Sequence, residues 1–148
     1  MNYKILKPFA GVVIILLTIS CKVEPAAIEY GKDQCSFCVM NIVDKTHSAQ
    51  YVTKKGKQFK FDAIECLVND LSEKSENDLA KILVADYGNP GQMIEASTAT
   101  FLISKEIKSP MGANLSGFSS KENALNMKSS KEGDVYTWNE LLIKFDAK

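Results

Sequence analysis

The first 20 residues most strongly limit what this chain can fold into, because their composition is that of an export signal that is removed before folding. Lys4 and Lys7 form a positive region ahead of an apolar run from residue 9 to residue 17. That run is shorter than the roughly 20 apolar residues that span a bilayer as a helix. The folded protein is therefore predicted to begin near residue 21 and to lie outside the cytoplasm.

A cysteine stands where the apolar run ends. The segment Leu17-Thr18-Ile19-Ser20-Cys21 resembles a lipobox, although its leucine lies four residues before the cysteine rather than the usual three. We predict cleavage of residues 1–20, acylation of Cys21 and a lipidated tether over residues 21–34; two or more acyl chains would make the attachment stable. The expected location is the periplasmic side of a bacterial membrane, with membrane lipid as a partner. An ordinary cleaved signal or a short membrane anchor is the alternative.

The charge balance excludes nucleic acid as a partner. Loss of Lys4 and Lys7 leaves 16 of the 18 basic residues against 18 acidic residues, a net charge of −2. The lysines are scattered among acids, as on a solvated surface, and form no basic stripe with interleaved aromatic residues. The 128 residues that follow residue 20 suit one domain or two very small units that share a core.

Three cysteines remain once Cys21 is assigned to lipid: Cys35, Cys38 and Cys66. Disulfide frameworks in exported proteins use an even number of cysteines. At least one thiol is therefore free, paired with another molecule or bound to a metal ion. This count favours a function based on sulfur.

The first half of the mature chain has the pattern of a β-β-α-β unit. Residues 48–53 and 58–61 are predicted strands of a hairpin around a turn at 54–57. Asp62 and Glu65 have the spacing of a capping box, which predicts a helix with an apolar face that continues to Leu71. The run from residue 82 to residue 85 is predicted to be a buried strand.

The same order of elements repeats in the second half. Residues 99–103 and 115–118 are predicted strands around a turn at 109–112, and residues 119–122 are a predicted capping box before a helix. A strand over 134–136 and a terminal helix that opens at Thr137 complete the pattern. We therefore predict an α+β fold of two small β-β-α-β units, over residues 35–92 and 93–148. The repeat rests on element order, because internal identity is weak.

The segment Cys35-Ser36-Phe37-Cys38-Val39-Met40 is the most specific motif for chemistry. Thiolate and thioether are soft donors that select Cu(I) over hard cations. A structural zinc site needs four Cys or His ligands, and no second pair is present to supply them. A local disulfide and a redox-active dithiol remain alternatives, although the pair lacks the preceding strand and helix start of a thioredoxin-like site.

Other donors are more isolated. His47, the single histidine, is a candidate nitrogen ligand because imidazole suits copper. Met111 lies between turn-forming residues, where packing uses methionine poorly, and is also a candidate. Met93, Met127 and Cys66 are interpreted as core residues.

The ordered set of Cys35-x-x-Cys38-x-Met40, Ala49-Gln50, Phe61-Asp62 with Cys66, Ser109-Pro110-Met111-Gly112 and Gly117-Phe118 resembles the NosL family of nitrous-oxide reductase accessory lipoproteins. The resemblance covers nearly the whole mature chain. It implies a fold related to organomercurial lyases, a single Cu(I) ion, and periplasmic copper delivery to nitrous-oxide reductase in denitrification. By position it makes Cys38, Met40 and Met111 the expected ligands, with Cys35 and His47 as further candidates; Cys66 receives no ligand role. Val39 stands where the family often has glycine.

Three function classes follow from these observations. The favoured one is a Cu(I) metallochaperone that serves nitrous-oxide reductase, its copper-loading ABC-type machinery or another exported copper enzyme. The others are a thiol–disulfide oxidoreductase that uses Cys35 and Cys38, and a structural lipoprotein. An organomercurial lyase is suggested by fold analogy alone. No Ser/His/Asp arrangement is evident, so we expect no enzymatic activity.

Overall fold

The computed structural model describes residues 23–74 and 76–146, so the predicted signal segment and Cys21 lie outside the described residues. The described part contains seven strands and three α-helices. None of its helices has the length and apolar character needed to cross a bilayer. The strands form two antiparallel sheets, which confirms the predicted α+β fold of two small units.

The first sheet has the strand order β2-β1-β3-β4. Its strands are β1 (Ala49–Thr53), β2 (Gln58–Phe61), β3 (Leu79–Ala85) and β4 (Met93–Glu95). Tyr51 pairs with Phe59 on one side and Ile82 on the other, and the Tyr51 and Phe59 rings stack at 4.7 Å. The predicted hairpin is thus present. The short strand β4 was not predicted, and through it the sheet extends past residue 92.

Helix α1 (Ile64–Leu71) packs behind this sheet, and its N-terminus differs from the prediction. The N-cap residue is Ala63, and no side chain caps the helix. Glu65 is instead buried and accepts hydrogen bonds from the Ser109 hydroxyl and the Ala113 N–H of the second unit. The Asp62–Glu65 capping box was therefore wrong, because tertiary donors hold the Glu65 carboxylate away from the helix end.

The second sheet has the order β6-β5-β7 and carries the other two α-helices. Its elements are β5 (Thr100–Ile103), β6 (Leu115–Phe118), α2 (Lys121–Ser130), β7 (Asp134–Thr137) and α3 (Trp138–Lys144). Ser120, one residue later than predicted, caps α2 by accepting from the Asn123 N–H. Thr137 and Glu140 form a complete capping box at α3, in agreement with the predicted helix start.

The two units meet over a shared core. Leu67 on α1, Phe101 on β5 and Leu141 on α3 belong to one buried apolar cluster. Near Gly117 the two sheets touch directly, because the Tyr87 N–H donates to the Gly117 carbonyl at 2.8 Å. Burial of this common surface holds the two sheets as one body.

Candidate metal centre

The loop that carries the first two cysteines turns back on itself just before the first sheet. Gln34 and Asn41 form an isolated antiparallel bridge at its base. Inside it, the Cys35 N–H donates to the Met40 carbonyl at 2.8 Å and the Val39 N–H donates to the Cys35 carbonyl at 3.0 Å. This turn requires Val39 to adopt a left-handed φ of 64°. The reversal brings Cys38 back toward Cys35.

Strand β2 fixes the loop beside helix α1. The Ser36 N–H donates to the Lys60 carbonyl at 2.7 Å, and the Lys60 N–H donates to Ser36 Oγ at 3.2 Å. Helix α1 begins shortly after β2 ends, with Cys66 in its first turn. The sulfur atoms of Cys35, Cys38 and Cys66 consequently lie within 4.8 Å of one another. All three cysteines are free.

Burial and hydrogen bonding shift the pKa values of the three cysteine thiols in different directions. A hydrogen bond from the Cys66 thiol, together with backbone N–H groups, outweighs burial and lowers the pKa of Cys35 to about 5. The same hydrogen bond and burial raise the pKa of Cys66, and burial raises the pKa of Cys38. The lowered pKa of Cys35 favours the thiolate at that buried residue, whereas the raised pKa values of Cys38 and Cys66 favour thiols. Cys38 is the most accessible of the three.

The two candidate methionines lie at the surface. The Met40 side chain is 51% exposed and that of Met111 is 43% exposed. The turn that carries Met111 is held by the bonds from Ser109 and Ala113 to Glu65, the residue before Cys66. The sequence interpretation of Met111 as poorly placed for packing agrees with this exposure. The ligand roles of both methionines stay predictions.

His47 lies outside the cluster of three sulfurs. Its buried ring is within 2.8 Å of Asp44 and Thr46 at Nδ1 and within 3.3 Å of Ser116 at Nε2. Both ring nitrogens therefore have protein partners, and the Ser116 contact reaches into the second unit. These contacts give His47 a structural role, while its role as a ligand stays a prediction.

Sequence reasoning did not assign Cys66 to the candidate site. Its place between apolar residues on α1 indicated burial, and it is indeed buried. The signal that was available is the odd cysteine count, together with a helix that starts directly after the strand next to the Cys35 loop. Because the loop's attachment to β2 is not visible in the sequence, that signal was not decisive.

Comparisons with known proteins show the family to which the chain belongs. The copper-binding lipoprotein NosL of Stutzerimonas stutzeri is 28% identical over 126 residues, which cover 80% of this chain and 66% of that relative. The crystal structure of the copper chaperone NosL from Shewanella denitrificans matches with a TM-score of 0.70 and 22% identity, over 80% of this chain and 95% of that one. This structural match shows a shared fold. The NosL family model matches residues 25–144, and the chain therefore belongs to the NosL family.

Proposed function

We propose that this protein is a lipid-anchored Cu(I) chaperone on the periplasmic side of a bacterial membrane. The observation that carries the proposal is the cluster of three free cysteine sulfurs within 4.8 Å of one another. Thiolates are soft donors that suit Cu(I), and Cys35 supplies negative charge to balance the ion. Among the described residues, no fourth Cys or His joins the cluster to complete a structural zinc site.

The position of the cluster suits transfer of the ion as well as its binding. Cys38 is partly accessible, and Phe37, Val39 and Met40 around it are exposed. A Cu(I) ion held there can be reached by the ligands of a partner protein. Protons do not compete with the ion for thioether sulfurs. We propose that the recipient is nitrous-oxide reductase or the ABC-type machinery that loads its copper. Membership of the NosL family and the copper-related names of its relatives support this.

The thiol–disulfide oxidoreductase alternative fits the geometry less well. An attacking cysteine should be both accessible and largely deprotonated. Here the two properties are separated, since the pKa is lowered at buried Cys35 and raised at accessible Cys38. The pair also lies in a loop before the first strand and does not open a helix.

Competition titrations of the reduced protein with Cu(I) and Zn(II) chelators test the proposal. We expect strong preference for Cu(I), since the donors are sulfur and the cluster lacks a fourth cysteine or histidine. Ser replacement of Cys35, Cys38 or Cys66 should each weaken Cu(I) binding by more than about 100-fold, the upper range for losing a supporting outer-shell contact. Met40→Leu and Met111→Leu should each weaken it less. Met93→Leu, in β4, is the matched control and should leave the affinity unchanged.

Three results would count against the proposed site. Equal affinity for the two metals, or no Cu(I) binding, would reject the copper chaperone. Undiminished affinity of Cys66→Ser would exclude the cluster and favour a site formed by the 35–40 loop alone. Because Cu(I) that binds only the folded state raises the melting temperature, the copper-induced shift of each variant provides an independent readout.

A further inference from the structure

The segment that follows the predicted lipid site crosses the outer face of the first sheet. The Gln58 side chain donates to the Glu24 carbonyl and accepts from the Ala26 N–H, both at 3.1 Å. Lys81 Nζ lies 2.8 Å from the Glu24 carboxylate. Gln58 and Lys81 are both register partners of Val52, which is fully buried. From Glu24 onward, the predicted tether is thus bound to the folded body.

This attachment leaves little free length between the body and the acyl chains. Such closeness to the bilayer depends on the lipid anchor of the proposed function. Three peptide steps separate Cys21 from Glu24 and span at most about 10 Å when fully extended. Glu24 is consequently held within about that distance of the acylated residue, and the Gln58 side chain, bonded to the Glu24 carbonyl, keeps this end of the sheet near the bilayer surface.

A lysine-rich turn lies at this same end of the sheet. Lys54, Lys55 and Lys57 are exposed in the turn between β1 and β2, directly before Gln58. The Lys57 ammonium lies 4.7 Å from the centre of the Phe59 ring, beside a groove that runs toward the end of α1. The charged groups that line this groove are Lys54, Lys55, Lys57, Lys74, Glu73 and Asp78. Lys74 is paired with Asp70, so the three turn lysines outweigh the two groove acids.

We propose that the β1–β2 turn and its groove contact anionic phospholipid headgroups. Each lysine near such a surface strengthens binding by about fivefold, and the net excess of one positive charge predicts a gain of that size. The cysteine loop is attached at Lys60, toward the other end of β2. Contact through the turn therefore leaves the sulfur cluster directed away from the headgroups, where a partner protein can reach it.

Lysine footprinting of the full lipidated protein in vesicles tests this surface. The probes are vesicles of phosphatidylcholine alone and vesicles mixed with phosphatidylglycerol, at low ionic strength. We expect acetylation of Lys54, Lys55 and Lys57 to slow by about fivefold in the anionic vesicles and to recover in high salt. The control lysines on the second unit should react equally in both vesicles; they are Lys105, Lys121 and Lys128.

Two variants that lose the same number of lysines distinguish an effect of the turn from an effect of the protein's net charge. Lys74, which lines the same groove, should also be acetylated more slowly in anionic vesicles, and replacing Lys54, Lys55 and Lys57 with Gln should abolish this protection of Lys74. The same replacement at the three control lysines should preserve it. Equal labelling in the two vesicle types, persistent Lys74 protection in the turn variant, or an intact mass without lipid on Cys21 would each overturn the inference. Cu(I) affinity of the turn variant should equal that of the wild type, so a failed copper titration would refute the proposed function and not this surface.

Discussion

At the scale of single residues, the cysteine loop depends on an unfavourable backbone conformation. Val39 has a φ of 64°, in the left-handed region that costs an L-residue about 1–2 kcal/mol and suits β-branched side chains least. Its side chain is 67% exposed, so it gains little by packing. Glycine, which adopts a positive φ without steric cost, would suit this position better than valine.

Val39→Gly is accordingly expected to stabilise the protein. Relief of about 1–2 kcal/mol of strain exceeds the about 0.5–1 kcal/mol of added chain entropy, so the free energy of unfolding should rise by about 0.5–1 kcal/mol. Urea unfolding of the reduced protein measures this change. Val43→Gly is the control: Val43 is 64% exposed and has no positive φ, so its replacement should destabilise by about 0.5–1 kcal/mol. Equal destabilisation by both changes would show that Val39 is not strained.

At the scale of elements, the contact between the two sheets requires a residue without a side chain. A Cβ atom at Gly117 would lie 3.1 Å from the Ala85 carbonyl oxygen and 3.1 Å from Val84 Cγ2. The backbone of β3 is therefore too close to β6 to admit even a methyl group without movement. A single glycine thus sets how closely the first sheet approaches the second.

Gly117→Ala should force the sheets apart and lower the free energy of unfolding by about 1–3 kcal/mol, the usual range for overpacking. Thermal and urea unfolding measure the loss. Gly88→Ala is the matched control, because its nearest neighbour is Asp86 Oδ1 at an ordinary 3.5 Å and no positive φ constrains it. If both variants lose the same amount, the close approach at Gly117 is not the cause.

At the scale of the whole molecule, Glu65 links the sulfur cluster to the second unit. Its buried Oε1 accepts from the Ser109 hydroxyl and the Ala113 N–H, on either side of Met111 in the chain. The helix that carries Cys66 and the turn that carries Met111 are thereby joined. If Met111 is a copper ligand, this carboxylate positions it without touching the ion.

Glu65→Ala should therefore lower both stability and copper affinity. Loss of two hydrogen bonds to a buried carboxylate predicts destabilisation by about 3 kcal/mol, with Glu65→Gln losing less because its carbonyl can still accept. If Met111 binds copper, Cu(I) affinity measured well below the melting temperature should fall about as far in Glu65→Ala as in Met111→Leu. A destabilised Glu65→Ala protein with wild-type copper affinity would show that Glu65 serves folding alone.

Elements with local causes were predictable from the sequence. The hairpin of β1 and β2 follows from a short turn between two apolar-patterned runs, and the start of α3 follows from the Thr137–Glu140 capping box, whose partners are three residues apart. The Cys35-x-x-Cys38-x-Met40 motif likewise indicated a sulfur site because its donors are close in the chain. Strand β4 was not predictable, because three residues show no clear alternation and the strand lies at the edge of the described sheet, paired with β3.

Only the tertiary structure decided how the site is assembled. Cys66 joins Cys35 and Cys38 because β2 binds the cysteine loop on one side and leads directly into α1 on the other. Glu65 does not cap its helix, because the second unit supplies Ser109 as a partner for its carboxylate. His47 Nε2 likewise has Ser116 of the second unit as its partner. Periodicity and spacing reflect interactions between residues that are close together in the sequence. They do not predict these contacts, since each depends on two distant segments being buried against the same surface.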